Sequence, residues 1–174
     1  MAAIYMLFIT LILLCTQFLF GSIAIHLPLC ACGIFYISTC YSYKDGAFWA
    51  VFSGLTLDLF YNRIFFGTTL ALLTIAFFAD YWRRQNDTLY PRHLIIPGLV
   101  VAFINLLPIW IYRLTLYNTD FVVVLKEMLP VTIFSLSLNS IFLPLLALFL
   151  DKIGKRLNLP EAFTPLKTAF MRRF

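Results

Sequence analysis

From Ala2 to Ile25 the chain carries no charged side chain. A helix rises ~1.5 Å per residue, so ~20 apolar residues cross the ~30 Å hydrocarbon core of a bilayer. In water such a run has no face to solvate. In hydrocarbon every backbone N–H and C=O needs a partner within the protein, which leaves helices and closed barrels. Barrel strands alternate apolar and polar residues over ~10 positions, whereas these runs are longer and unbroken. Composition agrees, with 62% hydrophobic and 12% charged residues, against about 25% charged in a soluble domain. The expectation is an all-α fold, a polytopic integral membrane helix bundle of about six transmembrane helices. The length of 174 residues suits one such bundle over residues 1–150, with a basic cytoplasmic tail over 151–174.

The first run is too long for a signal-peptide core and lacks a basic start, so it reads as a retained span. Leu29-Cys30-Ala31-Cys32 is similar to a lipoprotein cleavage box, but no basic start precedes it either. Pro28 opens the second segment, Leu29 to Tyr43, and Lys44-Asp45-Gly46 is expected to break it. The third, Ala47 to Phe60, is short. Tyr61-Asn62-Arg63 links it to the fourth, Ile64 to Trp82. A polar loop beginning Arg83-Arg84-Gln85-Asn86-Asp87 leads to the fifth, Leu94 to Tyr112, with Pro97 and Pro108 as kinks. Thr119 or Asp120 could cap a further helix. Unbroken to Leu150 it would be ~45 Å long, too long for one crossing. Pro130 offers a break, so Asp120 to Leu129 is expected to form a helix near the surface, kinked into a sixth span from about Val131.

Lys and Arg set the orientation. With six spans and the N-terminus inside, the inside carries Lys44, Arg83, Arg84, Arg92, Lys152, Lys155, Arg156, Lys167, Arg172 and Arg173, and the outside Arg63, Arg113 and Lys126. This is the bias of the positive-inside rule. With the short third segment not crossing, five spans remain and the N-terminus lies outside. In both arrangements the Arg83 loop and the tail are cytoplasmic. The net charge of +5 thus reflects orientation, and nucleic acid is not an expected partner.

Gly46, Ala50, Gly54 and Asp58 recur every fourth residue and form one helical stripe, on which small side chains let another backbone approach. Gly67 and Ala71 offer a matching start to the fourth segment, so the two segments are expected to pack as a hairpin. Asp58 is an ionisable group in a span, read as a structural anchor, with partner or ligand contact as the alternative. Arg63 could neutralise it. Thr132, Ser135 and Asn139 give the sixth segment a polar face suited to interhelical hydrogen bonds. No nucleophile–base pair, phosphate loop or His-Glu-x-x-His occurs, so no enzyme and no cofactor are expected. His26 and Cys30 lie one helical turn apart, but no second pair completes a metal site. In the tail, basic residues interleave with Leu157, Leu159, Phe163, Leu166, Phe170 and Phe174, a pattern suited to the anionic inner leaflet or to a cytoplasmic partner.

The stretch Trp49-Ala50-Val51-Phe52-Ser53-Gly54-Leu55-Thr56-Leu57-Asp58-Leu59-Phe60, followed by Phe66-Gly67-Thr68-Thr69-Leu70, resembles the rod shape-determining protein MreD family. That family has a Gly-x-x-x-Asp near the end of a short span, this length and a basic end. Arg63-Ile64-Phe65-Phe66 departs from the smaller or more polar residues often found there. The resemblance implies a non-enzymatic scaffold of the bacterial cell-wall elongation complex, in the inner membrane. Its implied partners are an MreC-like protein and, through it, MreB, RodA and a class B penicillin-binding transpeptidase, together with membrane lipids. It also implies a fold similar to energy-coupling-factor substrate-binding subunits. A vitamin-type transporter subunit is therefore the alternative function, although Ala2 to Ile25 lacks the Ala-x-x-x-Ala surface such subunits carry.

Overall fold

The structure is a computed structural model that describes residues 2–22, 28–62, 66–86, 90–116 and 121–163. Six α-helices follow one another: α1 (Ala2–Ser22), α2 (Leu29–Cys40), α3 (Tyr43–Phe60), α4 (Gly67–Gln85), α5 (Ile95–Leu116) and α6 (Phe121–Arg156), with a 3-10 turn at Pro91–Leu94 leading into α5. Among the described residues there is no strand. Among the described residues three stretches are long and apolar enough to cross a membrane: Ala2–Gly21, Pro91–Thr115 and Val122–Arg156, with mean hydropathies of 2.3, 2.4 and 2.1. Their outward side chains include Ile4, Phe8, Phe103, Ile111, Ile141 and Phe149. Water would not tolerate an apolar surface of this extent. The chain is a helical membrane protein.

The bundle is organised around α2. All twelve residues of this helix are buried, and it touches α1, α3, α4, α5 and α6. Its composition permits this, since Cys30, Ala31, Cys32 and Gly33 let neighbouring helices close in. At 12 residues it rises only ~18 Å, short of the span expected over Leu29 to Tyr43. The break falls at Tyr41 and Ser42, before the expected Lys44-Asp45-Gly46. Those three residues instead form the first turn of α3, because Ser42 is a better helix start than Gly46 is a helix stop. The Ser42 hydroxyl accepts from the Asp45 N–H at 3.2 Å and donates to the Asp45 carboxylate at 2.8 Å, as in a capping box. At its other end α3 stops where Asn62 takes a left-handed φ of 51°, a conformation Asn tolerates well.

Pro130 does not end a helix either. The helix runs through Pro130 and Pro144 for 36 residues. Pairing with α5 holds it on both sides of Pro130, where the Trp110 indole donates to Thr132 at 3.1 Å and Arg113 meets Glu127 at 3.6 Å. Pro130 is exposed, so its ring sits on the outer face of the helix. The capping roles expected of Thr119 and Asp120 lie outside the described residues.

Contacts between helix ends fix their relative directions. The Tyr5 hydroxyl donates to the Leu150 carbonyl at 2.8 Å. Tyr36, near the end of α2, donates to Asp151 at 2.7 Å. Arg83, near the end of α4, donates to the Ala162 carbonyl at 2.8 Å. One end of the bundle thus collects the start of α1 and the ends of α2, α4 and α6. Lys44, Arg84, Arg92, Lys152, Lys155 and Arg156 lie on or beside these segments and are exposed, while Arg113 and Lys126 belong to the far end of the α5–α6 hairpin. Packing therefore gathers these six basic residues at one end, away from Arg113 and Lys126.

Candidate functional site

The α3–α4 hairpin carries the Gly46, Ala50, Gly54, Asp58 stripe, and all four residues are buried. At Gly54 the two backbones approach so closely that an added Cβ would lie 2.5 Å from the Thr69 Cα. The stripe is shared between neighbours, because Gly46 faces Ser38 of α2. The matching surface expected on α4 is not where the sequence put it. Thr68 and Thr69 meet α3, whereas Gly67 faces Pro108 of α5, and Ala71 lines the α4–α5 cleft with it. One helical residue turns through ~100°, so a small shift in where α4 begins redirects the whole face.

Asp58 is 1% exposed. Its carboxylate accepts from the Thr68 N–H at 3.3 Å, the Thr69 N–H at 3.0 Å and the Thr69 hydroxyl at 2.8 Å. It thereby caps α4, whose own N-cap residue, Phe66, offers no side-chain cap. A negative group there also meets the positive end of the helix dipole. Asp58 thus accepts three hydrogen bonds from its own hairpin. The neutralising role expected of Arg63 lies outside the described residues. A second helix start is capped the same way, since Gln17 of α1 accepts from the Cys30 N–H at 2.8 Å where Pro28 cannot cap α2.

At the centre, Asn139 is 1% exposed. It donates to the Gly98 carbonyl at 2.7 Å and accepts from the Cys32 thiol at 2.8 Å, joining α6 to α5 and α2. Gly98 permits the crossing, because an added Cβ would lie 2.8 Å from the Asn139 carbonyl oxygen. Sequence reasoning named Asn139 but missed both partners. Gly98 stood as an unremarked glycine after Pro97. Cys32 lies in an apolar run, where nothing marks its thiol as a donor. His26, the other half of the weak metal pair, lies outside the described residues. Among the described residues no cluster of His, Cys, Asp or Glu could hold a metal.

The largest omission lies at the basic end. Beyond Leu150 the helix continues to Arg156, where Asn158 with φ 53° reverses the chain and the Leu157 and Leu159 N–H groups bond to the Gly154 carbonyl at 3.0 and 2.9 Å. Residues 157–163 fold back onto the bundle, burying Leu159 and Ala162. Asp151 accepts from the Ala162 N–H at 2.9 Å, the Phe163 N–H at 3.2 Å and the Tyr36 hydroxyl at 2.7 Å. This part of the expected tail belongs to the core, and the basic positions Lys167, Arg172 and Arg173 lie outside the described residues. Asp80 pairs with Arg84 at 2.9 Å, while Arg83 turns inward to Ala162.

Two apolar clefts open on the surface. One, of about 460 Å³, runs between α4 and α5 past Gly67, Ala71, Pro108 and Tyr112. The other, of about 340 Å³, lies between α5 and α6 past Leu106, Trp110 and Thr132. Their hydroxyls at Thr74, Thr115 and Thr132 are spent on backbone carbonyls one turn back. Neither cleft presents the convergent polar groups of a small-molecule site. Comparisons with protein-family models, with curated proteins and with solved structures find no match.

Proposed function

We propose that the protein is a non-enzymatic scaffold of the bacterial cell-wall elongation complex, similar to the MreD family. It crosses the inner membrane about six times, with its basic end in the cytoplasm. The observation that supports this reading is that Asp58 is buried and accepts three hydrogen bonds from its own hairpin. The Gly-x-x-x-Asp of α3 and the Gly67-Thr68-Thr69 start of α4, which carry the resemblance, form one hydrogen-bonded structural unit. A packed unit suits a protein whose task is to hold others in place, whereas substrate capture calls for unspent polar groups facing a cavity. Gly46, Ala50, Gly54, Asp58 and Asn139 are occupied within the bundle. In this reading an MreC-like partner, and with it MreB, RodA and a class B penicillin-binding transpeptidase, meets the outward faces and the Gly67–Ala71 cleft.

Depletion in rod-shaped cells is expected to make them round while vitamin uptake continues, and an MreC-like protein is expected to co-purify in detergent. Loss of uptake in cells of normal shape would instead favour a transporter subunit built on a bundle like that of energy-coupling-factor substrate-binding proteins. Finding MreB- and MreC-like reading frames beside the gene would support the scaffold, and finding a transporter ATPase there would oppose it.

A further inference from the structure

Residues 157–163 are held by groups that read backbone rather than side chain. Asp151 takes the N–H groups of Ala162 and Phe163, and Arg83 takes the carbonyl of Ala162. An acid on α6 and a base on α4 thus grip the same peptide units from two sides. The grip reaches α2 through Tyr36, and Cys40, the last residue of α2, is buried one helical turn beyond Tyr36. Only Leu159, Ala162 and Phe163 add apolar contact with the core. Few buried apolar groups and a handful of hydrogen bonds are the features of a segment that opens locally while the rest stays folded.

We propose that residues 157–163 form a strap that closes over the basic end of α2 and opens as a unit, with Asp151 as its fastening point. Closed, the strap shields Cys40 at the end of α2. Open, it uncovers the end of the one helix that touches nearly every other and frees the chain from Leu157 onward. Anything that binds the basic chain beyond Phe163 then favours one state over the other, in proportion to its preference between them.

Native cysteines supply the reporters. Two single-cysteine full-length proteins, one keeping Cys40 and the other Cys32, are labelled with a water-soluble maleimide in detergent micelles. Ala162→Pro removes one N–H of the strap and leaves α6 intact; Asp151→Asn removes the charge. Each is expected to speed Cys40 labelling about tenfold, the scale of a lost charge-assisted hydrogen bond, while Cys32, 0% exposed in the first turn of α2, keeps its slow rate. The proposal is overturned if Ala162→Pro leaves Cys40 as protected as before. It is overturned equally if Cys32 accelerates in step, which marks global unfolding, or if Cys40 of the unaltered chain reacts as fast as in denatured protein. Should Asp151→Asn not accumulate, Ala162→Pro decides alone.

Discussion

Asp58 and Asp151 sit at opposite ends of α4 and hold the same kind of donor set, two consecutive backbone N–H groups and one hydroxyl. Both are buried, at 1% and 7% exposure. They differ in what the donors belong to. The donors to Asp58 are the first turn of a long helix, with the hydroxyl on the same residue as one of the N–H groups. The donors to Asp151 are a non-helical strap and a tyrosine on another helix. One carboxylate starts a helix, while the other closes a reversal of the chain. A buried carboxylate needs its charge met by several hydrogen bonds, and both ends of the bundle reach the same solution with different partners.

The sharpest way to break the comparison is at the approach that brings Asp58 to α4. Gly54→Leu would drive a side chain into the Thr69 backbone, which cannot move without displacing the whole of α4. Overpacking of this kind costs about 3 kcal/mol or more. The variant is expected to fail to accumulate in the membrane, as read by immunoblot of the membrane fraction. Normal accumulation would mean that α3 and α4 do not pack along this stripe.

Next in size, Asp58→Ala is expected to cost ~3 kcal/mol, since it leaves buried donors at a helix start unpaired. Asp151→Ala is expected to cost about half as much, on the same basis, because strap and solvent can rearrange where α4 cannot. Thermal aggregation in detergent measures both. Equal losses would show that the strap is as rigidly built as the hairpin. A third pair separates the hydroxyls. Thr69→Val removes a bond made within one hairpin, and Tyr36→Phe removes the bond that ties α2 to α6. Each is expected to cost ~1 kcal/mol, but only Tyr36→Phe is expected to raise Cys40 labelling as well.

What the sequence made legible follows the same division. The α3–α4 hairpin could be anticipated because its signals are local: a four-residue period, a short link and a carboxylate one turn from a helix end. The Asp151 site could not, because its partners lie on α2 and on a stretch that reads as solvent-facing tail. An acid among basic residues after a span looks like a boundary charge until the chain is seen to turn back on it. The central place of α2 was hidden for another reason. A helix buried all round has no polar face, so its periodicity is as flat as that of a lipid-facing span. Pro130 looked like the end of a helix because length was weighed without the partner. Continued pairing with α5 on both sides of the proline stabilises a helix that the bilayer thickness alone would have divided.

The smallest expected effect serves as the control for the comparison. Asp80 and Arg84 are a third carboxylate arrangement on α4, one turn apart and 2.9 Å from each other, but their side chains are 25% and 76% exposed. Water already solvates both charges, and holding the long arginine in place costs rotamer entropy, so a pair of this kind contributes under ~0.5 kcal/mol. Asp80→Asn is therefore expected to leave the aggregation temperature and Cys40 labelling unchanged within error. A loss approaching that of Asp151→Ala would mean that any negative charge at the basic end stabilises the bundle by offsetting its clustered lysines and arginines. In that case the hydrogen-bond geometry at Asp151 would not be what fastens the strap. A null result at Asp80 alongside a loss at Asp151 assigns the effect to the bonds with Ala162, Phe163 and Tyr36, since both variants remove one negative charge from the same end of the molecule.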